Sequence, residues 1–206
     1  MSIVFAVLLA VSCGHARVPA AESTQAAPPV AKGQAEAVFA GGCFWCTESD
    51  FEKVPGVISV ESGYTGGTMQ GPTYEQVSSG GTGMAESVRV VYDPTKVGYG
   101  ELLTYFWHHI DPTQAEGQFC DHGHQYRSAV FTSDPQEAKL AEQTRAEVQA
   151  ELGKPVLTTI EPRSIFWLAE EYHQDFYEKN PTRYHSYRQG CGRDQRVAEL
   201  WGKANP

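Results

Sequence analysis

The sequence predicts an α+β fold: a two-layer α/β sandwich in which about four strands are interleaved with three or four helices. Short apolar runs alternate with longer amphipathic stretches along the chain. Few of the connections between these runs have the length or composition of a hairpin turn. With 206 residues and 41% apolar side chains, the chain can bury one ordinary core.

The predicted strands are short and are bounded by turn residues. The first, over residues 37–40, is apolar and runs into Gly41-Gly42, which indicates a buried strand that breaks into a tight turn. Residues 85–94 alternate in the manner of a half-buried strand that opens near Glu86. Three further strands are predicted over residues 57–64, 126–132 and 156–160.

The predicted helices follow from apolar spacing and capping residues. The clearest one starts at Pro135, where Asp134 can cap its first turn, and it ends at Gly153. The tail beyond residue 182 places Cys191 between two glycines, which predicts a flexible segment. Other helices are predicted over residues 48–52, 101–110 and 166–179.

The N-terminal region has the composition of an export signal and a linker. Residues 3–12 are apolar and end at Cys13-Gly14, which resembles a bacterial lipoprotein signal; a plain signal peptide cut near Ala16 is the alternative. Both predict that residues 1–17 direct export, to the periplasm or to a lipid anchor on Cys13. Residues 18–35, rich in Ala and Pro, are predicted to be a disordered linker, followed by one domain over residues 36–206.

The charge balance excludes some classes of partner. A net charge of −9 argues against a nucleic-acid-binding protein, whose phosphate contacts need a basic surface. No apolar run approaches the ~18 residues that a membrane-spanning helix requires. We therefore expect a protein that binds no nucleic acid. We also expect a monomer.

Cys43 is the first candidate nucleophile. It lies between a predicted strand and a predicted helix, and at a helix N-terminus the backbone N–H groups and the macrodipole favour a thiolate. Such cysteines titrate at roughly 3.5–7.5 instead of about 8.5, so we expect a lowered pKa for Cys43. Phe44 and Trp45 cannot both be buried in a turn, so at least one should line a pocket beside the sulfur.

Two other cysteine patterns compete with this interpretation. Cys43 and Cys46 have the spacing of a redox or metal motif, although thioredoxin-like motifs usually place Gly-Pro between the cysteines. Cys120, His122 and His124 could contribute to a zinc site. We expect no metal, because alternate residues of an irregular segment point to opposite sides.

Four acids and phenols follow the glycine-rich loops. Together with Cys43 they would supply a nucleophile, a proton donor and hydroxyl donors, which thiolate attack on an S=O or C=O bond requires. They are Tyr74, Glu86, Asp121 and Tyr126.

A series of short blocks, in order and over about residues 38–192, resembles the type A peptide methionine sulfoxide reductases. The match is specific because many spaced blocks agree. The blocks are Gly42-Cys43-Phe44-Trp45, Gly63-Tyr64-Thr65-Gly66-Gly67, Pro72-Thr73-Tyr74, Thr82-Gly83 with Ala85-Glu86, Tyr92-Asp93-Pro94, Asp111-Pro112-Thr113, Asp121 with Gln125-Tyr126-Arg127-Ser128, and Tyr172-His173-Gln174.

The resemblance implies a ferredoxin-like core and reduction of the S epimer of methionine sulfoxide, free or in proteins. It implies that Cys43 is the nucleophile and that Glu86, with a raised pKa, protonates the sulfoxide oxygen. It further implies that Phe44 and Trp45 form an apolar wall for the substrate methyl group. By the same resemblance, Tyr74 and Tyr126 hold the oxygen by hydrogen bonds, and Asp121 is a second acid near the pocket.

Turnover would leave Cys43 as a sulfenic acid, which a second thiol converts to a disulfide. We expect Cys191 to be this resolving thiol, with Cys46 and then Cys120 as alternatives. No bound cofactor is expected, and a thioredoxin-like dithiol would complete the cycle.

Two departures from the family pattern are Met84, where histidine is usual, and Cys120 directly before Asp121. A thiol–disulfide exchanger and a binding module without turnover are the alternative functions.

Overall fold

The computed structural model describes residues 24–202, which form eight strands, seven α-helices and one 3-10 turn. The strands are β1 (Ala35–Gly41), β2 (Val57–Thr65), β3 (Ala85–Tyr92), β4 (Gly117–Gln118), β5 (Asp121–His122), β6 (Ser128–Thr132), β7 (Thr159–Pro162) and β8 (Trp167–Leu168). The helices are α1 (Phe44–Phe51), α2 (Tyr74–Ser78), α3 (Tyr99–His108), α4 (Pro135–Leu152), α5 (Phe176–Lys179), α6 (Pro181–Cys191) and α7 (Arg193–Trp201). The 3-10 turn covers His124–Tyr126.

Six strands form one sheet in the order β7-β6-β1-β3-β2-β8, and β4 pairs with β5 as a separate hairpin. The four central strands β6-β1-β3-β2 are antiparallel to one another, and the outer strand β7 is parallel to β6. Their sequence β1-α1-β2-β3-α3-β6 and their spatial order β6-β1-β3-β2 are those of a ferredoxin-like unit. The predicted two-layer α/β architecture with a ferredoxin-like core is therefore confirmed.

The main core lies between the sheet and the helices α1 and α3. Phe39 of β1 stacks on Phe51 of α1 at 5.0 Å and on Phe106 of α3 at 4.9 Å between ring centroids. All three side chains are buried. Because β1 carries this contact at its centre, the turn that follows β1 is fixed in position relative to both helices.

The opposite face of the sheet is also covered, which corrects the prediction that residues 85–94 form a half-buried strand. All eight residues of β3 are buried. Arg89 of β3 forms ion pairs with Glu36 and Glu61, and it donates to the carbonyl oxygen of Pro28. A buried guanidinium needs such partners, and polar spacing alone did not reveal them.

The covering chain includes part of the segment that was predicted to be a disordered linker. Thr24 is buried and donates to the carbonyl oxygen of Pro72, and Ala27 donates to Phe166. The carbonyl oxygen of Gln25 accepts from the N–H of Leu168 in β8. The linker prediction for residues 18–35 is therefore wrong over residues 24–28, which are bonded to the folded domain. The predicted export signal, residues 1–17 with Cys13, lies outside the described residues.

Two elements predicted in the second half of the chain differ from the structure. Residues 166–179 do not form one helix: Trp167 pairs with β2, and a turn leads to the short α5. Strand β8 can approach because Gly63 of β2 has no side chain; a Cβ there would lie 2.3 Å from the carbonyl oxygen of Trp167. Strand β7 begins at Thr159, later than the predicted 156–160.

The C-terminal segment is helical, so the prediction of a flexible tail around Cys191 is wrong. Cys191 is the last residue of α6, and Gly192 connects α6 to α7 with a left-handed backbone, φ 71°. Arg193, at the start of α7, is buried and donates to the carbonyl oxygen of Gly41 over 2.9 Å.

Among residues 24–202, no helix combines the length and the hydropathy needed to cross a bilayer.

Candidate active site

Cys43 lies at the turn between β1 and α1, as the sequence predicts. Gly42 has a φ of 85°, a conformation that glycine adopts without strain, and a Cβ there would lie 2.6 Å from Gln118. This turn places Cys43 at the N-cap of α1, where its carbonyl oxygen accepts from the N–H of Thr47. The thiol therefore projects from a fixed strand-to-helix turn.

A cavity of about 70 Å³ opens beside the sulfur of Cys43. Every residue predicted for the nucleophile, the acids, the phenols and the apolar wall lies on it, together with one residue that was not predicted. The lining consists of Cys43, Phe44, Trp45, Tyr74, Glu86, Asp121, Tyr126 and Tyr187.

The carboxyl group of Glu86 is the buried acid of this cavity. Glu86 lies near the start of β3, is 3% exposed, and accepts from the backbone N–H of Phe44 over 3.0 Å. Burial raises the pKa of Glu86 to about 8, the Phe44 N–H lowers it in part, and the neighbouring Asp121 raises it. Near neutral pH Glu86 is therefore mostly protonated and can donate a proton.

Cys43 does not have the lowered pKa that the helix terminus predicts. Burial raises the pKa of Cys43, and the nearby Cys46 thiol and Glu86 carboxyl raise it further. The Cys46 thiol is a hydrogen-bond neighbour of Cys43, and its pKa is lowered by that bond and by Arg193 and Arg188. Burial is the largest of these effects on the pKa of Cys43.

Asp121 and Tyr187 close the cavity on the side of the C-terminal helices. The Tyr187 hydroxyl donates to the carboxylate of Asp121 and is also a hydrogen-bond neighbour of the Cys43 sulfur. Burial raises the pKa of both residues. Tyr187 was missed in the sequence because α6 was not predicted; as a helix, residues 187 and 191 share one face.

Tyr74 and Tyr126 come from separate elements and meet at the cavity. Tyr74 begins α2, and its backbone N–H donates to Glu170 over 2.8 Å. The other carboxyl oxygen of Glu170 accepts from Tyr64 over 2.9 Å, so this side chain joins α2 to β2. Burial raises the pKa of Tyr74 and Tyr126, which therefore remain hydroxyl donors at neutral pH.

Phe44 and Trp45 form the apolar wall. Phe44 is fully buried, and its ring lies 6.5 Å from that of Trp45. The Trp45 indole stacks on Phe176 at 3.7 Å and donates from Nε1 to Nδ1 of His173 over 3.0 Å. His173 was not predicted as a site residue, although it belongs to the Tyr172-His173-Gln174 block.

Between residues 24 and 202, the two cysteines outside the Cys43–Cys46 pair, Cys120 and Cys191, form a disulfide. Cys191 Sγ lies 4.0 Å from a carboxylate oxygen of Asp121, so the disulfide borders the cavity. Cys43 and Cys46 are both buried thiols. Within residues 24–202, the one group with metal-ligand spacing is Cys120, Asp121 and Cys191, and its two sulfurs are bonded to each other.

Comparisons with known proteins decide the family of this chain. Residues 35–205 match the family model described as "Peptide methionine sulfoxide reductase". The chain belongs to this family. A relative from Caulobacter vibrioides, "Peptide methionine sulfoxide reductase MsrA 2", is 51% identical over 178 residues, which cover 85% of this chain and 90% of the relative. The type A resemblance inferred from the sequence blocks is thereby confirmed.

Solved structures of the methionine sulfoxide reductase family have the same fold. Mxr1 from Saccharomyces cerevisiae in reduced form aligns with a TM-score of 0.70 and 32% identity, over 78% of this chain and 91% of that one. Mxr1 in complex with Trx2 aligns with a TM-score of 0.51 and 25% identity, over 70% of this chain and 85% of that one. Met84, where the family pattern of the sequence analysis has histidine, is buried against Gly67.

Proposed function

We propose that this chain reduces the S epimer of methionine sulfoxide, free and in proteins, with Cys43 as the nucleophile. The observation that carries the proposal is the placement of the Glu86 carboxyl in the same small cavity as the Cys43 thiol. Sulfoxide sulfur is a poor electrophile until its oxygen is protonated. A buried acid with a pKa of about 8 can supply that proton at neutral pH.

The reaction balances with the protons that the site already holds. The Cys43 sulfur bonds to the sulfoxide sulfur while Glu86 gives its proton to the oxygen. The hydroxyl group then moves from the substrate sulfur to the Cys43 sulfur: a new S–O bond forms on Cys43 while the old S–O bond and the S–S bond break. Cys43 is left as a sulfenic acid, and methionine is released with the electron pair on its sulfur. The proton lost by the Cys43 thiol returns Glu86 to its protonated form, so no outside proton is needed.

The other lining residues orient the substrate in this scheme. Tyr74 and Tyr126 donate to the sulfoxide oxygen, since their raised pKa values keep the hydroxyl protons in place. Phe44 and Trp45 contact the methyl group on the opposite side. Asp121 fixes the Tyr187 hydroxyl beside the Cys43 sulfur.

The geometry favours Cys46 as the first resolving thiol over Cys191, the first choice from the sequence. Cys46 is a hydrogen-bond neighbour of Cys43, and the nearby Arg193 and Arg188 lower the pKa of Cys46, which favours the attacking thiolate. Attack on the sulfenic acid forms a Cys43–Cys46 disulfide and releases water. Cys191 has no free thiol while it is bonded to Cys120.

Cys191 has a role in the next step, because the Cys43–Cys46 disulfide would be buried whereas Cys120 is exposed. A thioredoxin-like dithiol reduces the Cys120–Cys191 disulfide and is itself oxidised. The Cys191 thiolate then attacks Cys43 and releases Cys46. Cys120 finally attacks Cys191, which reforms the surface disulfide and frees Cys43. The complex of yeast Mxr1 with Trx2 supports a reductant of this class.

The activity is tested with the two separated epimers of methionine sulfoxide and dithiothreitol. The S epimer should be converted to methionine and the R epimer should remain. Cys43→Ser should have no activity. Cys46→Ser is the matched control and should turn over with dithiothreitol, which reduces the sulfenic acid directly. An intact S epimer in the presence of wild-type protein would refute the proposal.

The resolving step is tested by mapping disulfides after one equivalent of the S epimer. The Cys43–Cys46 bond should appear while the Cys120–Cys191 bond persists. A bond between Cys43 and Cys191 in the first turnover would return the resolving role to Cys191. Cys120→Ser should retain turnover with dithiothreitol and lose it with thioredoxin.

Export by residues 1–17, to the periplasm or to a lipid anchor at Cys13, is part of the proposal. The support is the apolar run over residues 3–12 that ends at Cys13-Gly14. A radioactive fatty acid should be incorporated into the wild-type protein and should not be incorporated into Cys13→Ser. An exported but unlabelled protein would indicate cleavage near Ala16, and an uncleaved cytoplasmic protein would contradict export.

A further inference from the structure

The turn over residues 169–174 packs against the Trp45 side of the cavity and is held to the sheet. The side-chain amide of Gln174 accepts from the N–H of Ser62 and donates to the carbonyl oxygen of the same residue, each over 2.9 Å. His173 precedes Gln174 directly. Its side chain therefore projects from a turn whose position is fixed relative to strand β2.

The imidazole of His173 is neutral and has a defined tautomer. It is 1% exposed, and its centroid lies 4.9 Å from that of Phe44 and 4.5 Å from that of Tyr74. Burial lowers the pKa of His173 to about 4. An indole N–H can only donate, so Nδ1 accepts from Trp45 and the ring proton is on Nε2.

The hydrogen bond restricts a motion of Trp45 that its stacking on Phe176 leaves open. The indole stacks on Phe176 with 6° between the ring planes and 3.7 Å between the centroids. Stacking fixes the plane of the indole, but flat rings can slide and turn within that plane. The directional bond from Nε1 to His173 fixes the remaining degree of freedom, and with it the edge that faces the cavity.

We propose that His173 is a positioning residue that fixes the in-plane orientation of the Trp45 indole and so sets the largest group on sulfur that the cavity accepts. The inference rests on the proposed function, in which the Trp45 wall contacts the substrate methyl group. The cavity is about 70 Å³, so the position of one indole edge decides how much room remains. One added methylene in an apolar pocket changes specificity by about 10–200-fold.

The first test compares the S epimers of methionine sulfoxide and ethionine sulfoxide, which differ by one methylene. His173→Leu should reduce the ratio of kcat/KM for the methyl over the ethyl substrate by about tenfold. His173→Asn should restore the ratio, because its Oδ1 lies two bonds from Cβ, at the position of Nδ1, and can accept from the indole. Tyr172→Phe, at the exposed neighbouring position, is the control and should leave the ratio unchanged. An unchanged ratio in His173→Leu would overturn the inference.

The second test asks whether His173 acts through Trp45. The indole N–H resonance of Trp45, assigned with Trp45→Phe, should shift in His173→Leu and remain close to its wild-type position in His173→Asn. In a double-mutant cycle, His173→Leu should have little effect on the ratio once Trp45→Phe is present. Additive effects of the two substitutions would show that His173 acts by another route.

Two outcomes separate this inference from the proposed function. A wild-type protein that fails to reduce the S epimer would refute the function. A wild-type protein that reduces it, with equal methyl selectivity in all His173 variants, would refute only the positioning role. If His173→Leu does not fold, His173→Met replaces it, since its thioether is only a weak acceptor for the indole N–H.

Discussion

The backbone N–H of Phe44 donates to the Glu86 carboxyl group over 3.0 Å, although the two residues are 42 positions apart. Phe44 directly follows Cys43, so this bond sets the distance between the nucleophilic sulfur and the acid through a single peptide unit. It also joins the first turn of α1 to β3. The placement of the acid thus depends on two rigid elements instead of on a loop.

Glu86→Gln should lower kcat by about 10²–10⁴-fold, since general acid catalysis contributes on that order. The acid must be protonated, and a pKa of about 8 means that wild-type kcat/KM should be steady below pH 8 and fall above it. The variant should lose this fall. A pH profile from 6 to 10 is the measurement. Glu48→Gln is the matched control, because Glu48 also has a pKa of about 8 but does not line the cavity.

Glu48→Gln should change the pH dependence of stability instead. Burial raises the folded-state pKa of Glu48 to about 8 from the usual 4.5, so the native state holds a proton that the unfolded state has lost in this window. The free energy of unfolding should therefore decline as pH rises from about 4.5 to 8, by at most about 1.4 kcal/mol per unit for one group.

Urea denaturation at pH 5, 7 and 9 measures this effect. Glu48→Gln should show a shallower decline than the wild type, because the amide does not titrate and can still accept from the Asp175 N–H. Glu171→Gln, at an exposed carboxyl group, should follow the wild-type curve. Parallel curves for Glu48→Gln and wild type would contradict the assignment.

Tyr187→Phe should lower kcat/KM about tenfold, since a hydrogen bond to a charged group contributes about 1.5–3 kcal/mol. The substitution removes the hydroxyl between Asp121 and Cys43 but keeps the ring edge against Trp45, 5.9 Å away. Tyr177→Phe, whose hydroxyl contacts Glu52 outside the cavity, is the control. Equal rates for Tyr187→Phe and wild type would remove this hydroxyl from the mechanism.

Asp50→Asn should destabilise the protein by about 3–5 kcal/mol, the usual cost of leaving a buried charge without its partner. The Asp50 carboxylate lies 2.9 Å from Arg188 and 3.6 Å from the buried Arg193. Asp194→Asn is the comparison, because the Asp194 carboxylate is exposed and its ion pair with Arg188 should contribute under about 1 kcal/mol. Chemical denaturation of both variants gives the two values, and a loss below about 1 kcal/mol for Asp50→Asn would contradict the prediction.

The sequence identified the residues whose chemistry is local or belongs to a spaced block. Cys43 after two glycines and Glu86 at the start of a strand were predicted, and both line the cavity. Tyr187 and His173 were missed because their partners lie 66 and 128 residues away. No periodic pattern encodes a contact between residues so distant in the chain.

The wrong predictions share one physical cause, which is the choice of a local rule where tertiary contacts dominate. The helix-end rule predicts a low pKa for Cys43, but burial has the larger effect on that thiol. Two glycines beside Cys191 suggest mobility, but the disulfide to Cys120 and helix α6 hold it in place. Burial and long-range bonding are known only once the chain has folded.

The small size of the cavity limits which damage can be repaired in a folded client. A space of about 70 Å³ admits the sulfur, its oxygen and the terminal methyl group, but not the backbone of the oxidised protein. An oxidised methionine must therefore protrude from its own surface by most of its side-chain length. Residues oxidised deep in a client's core would become accessible only when that client opens, so repair would act first on surface methionines and on locally unfolded chains.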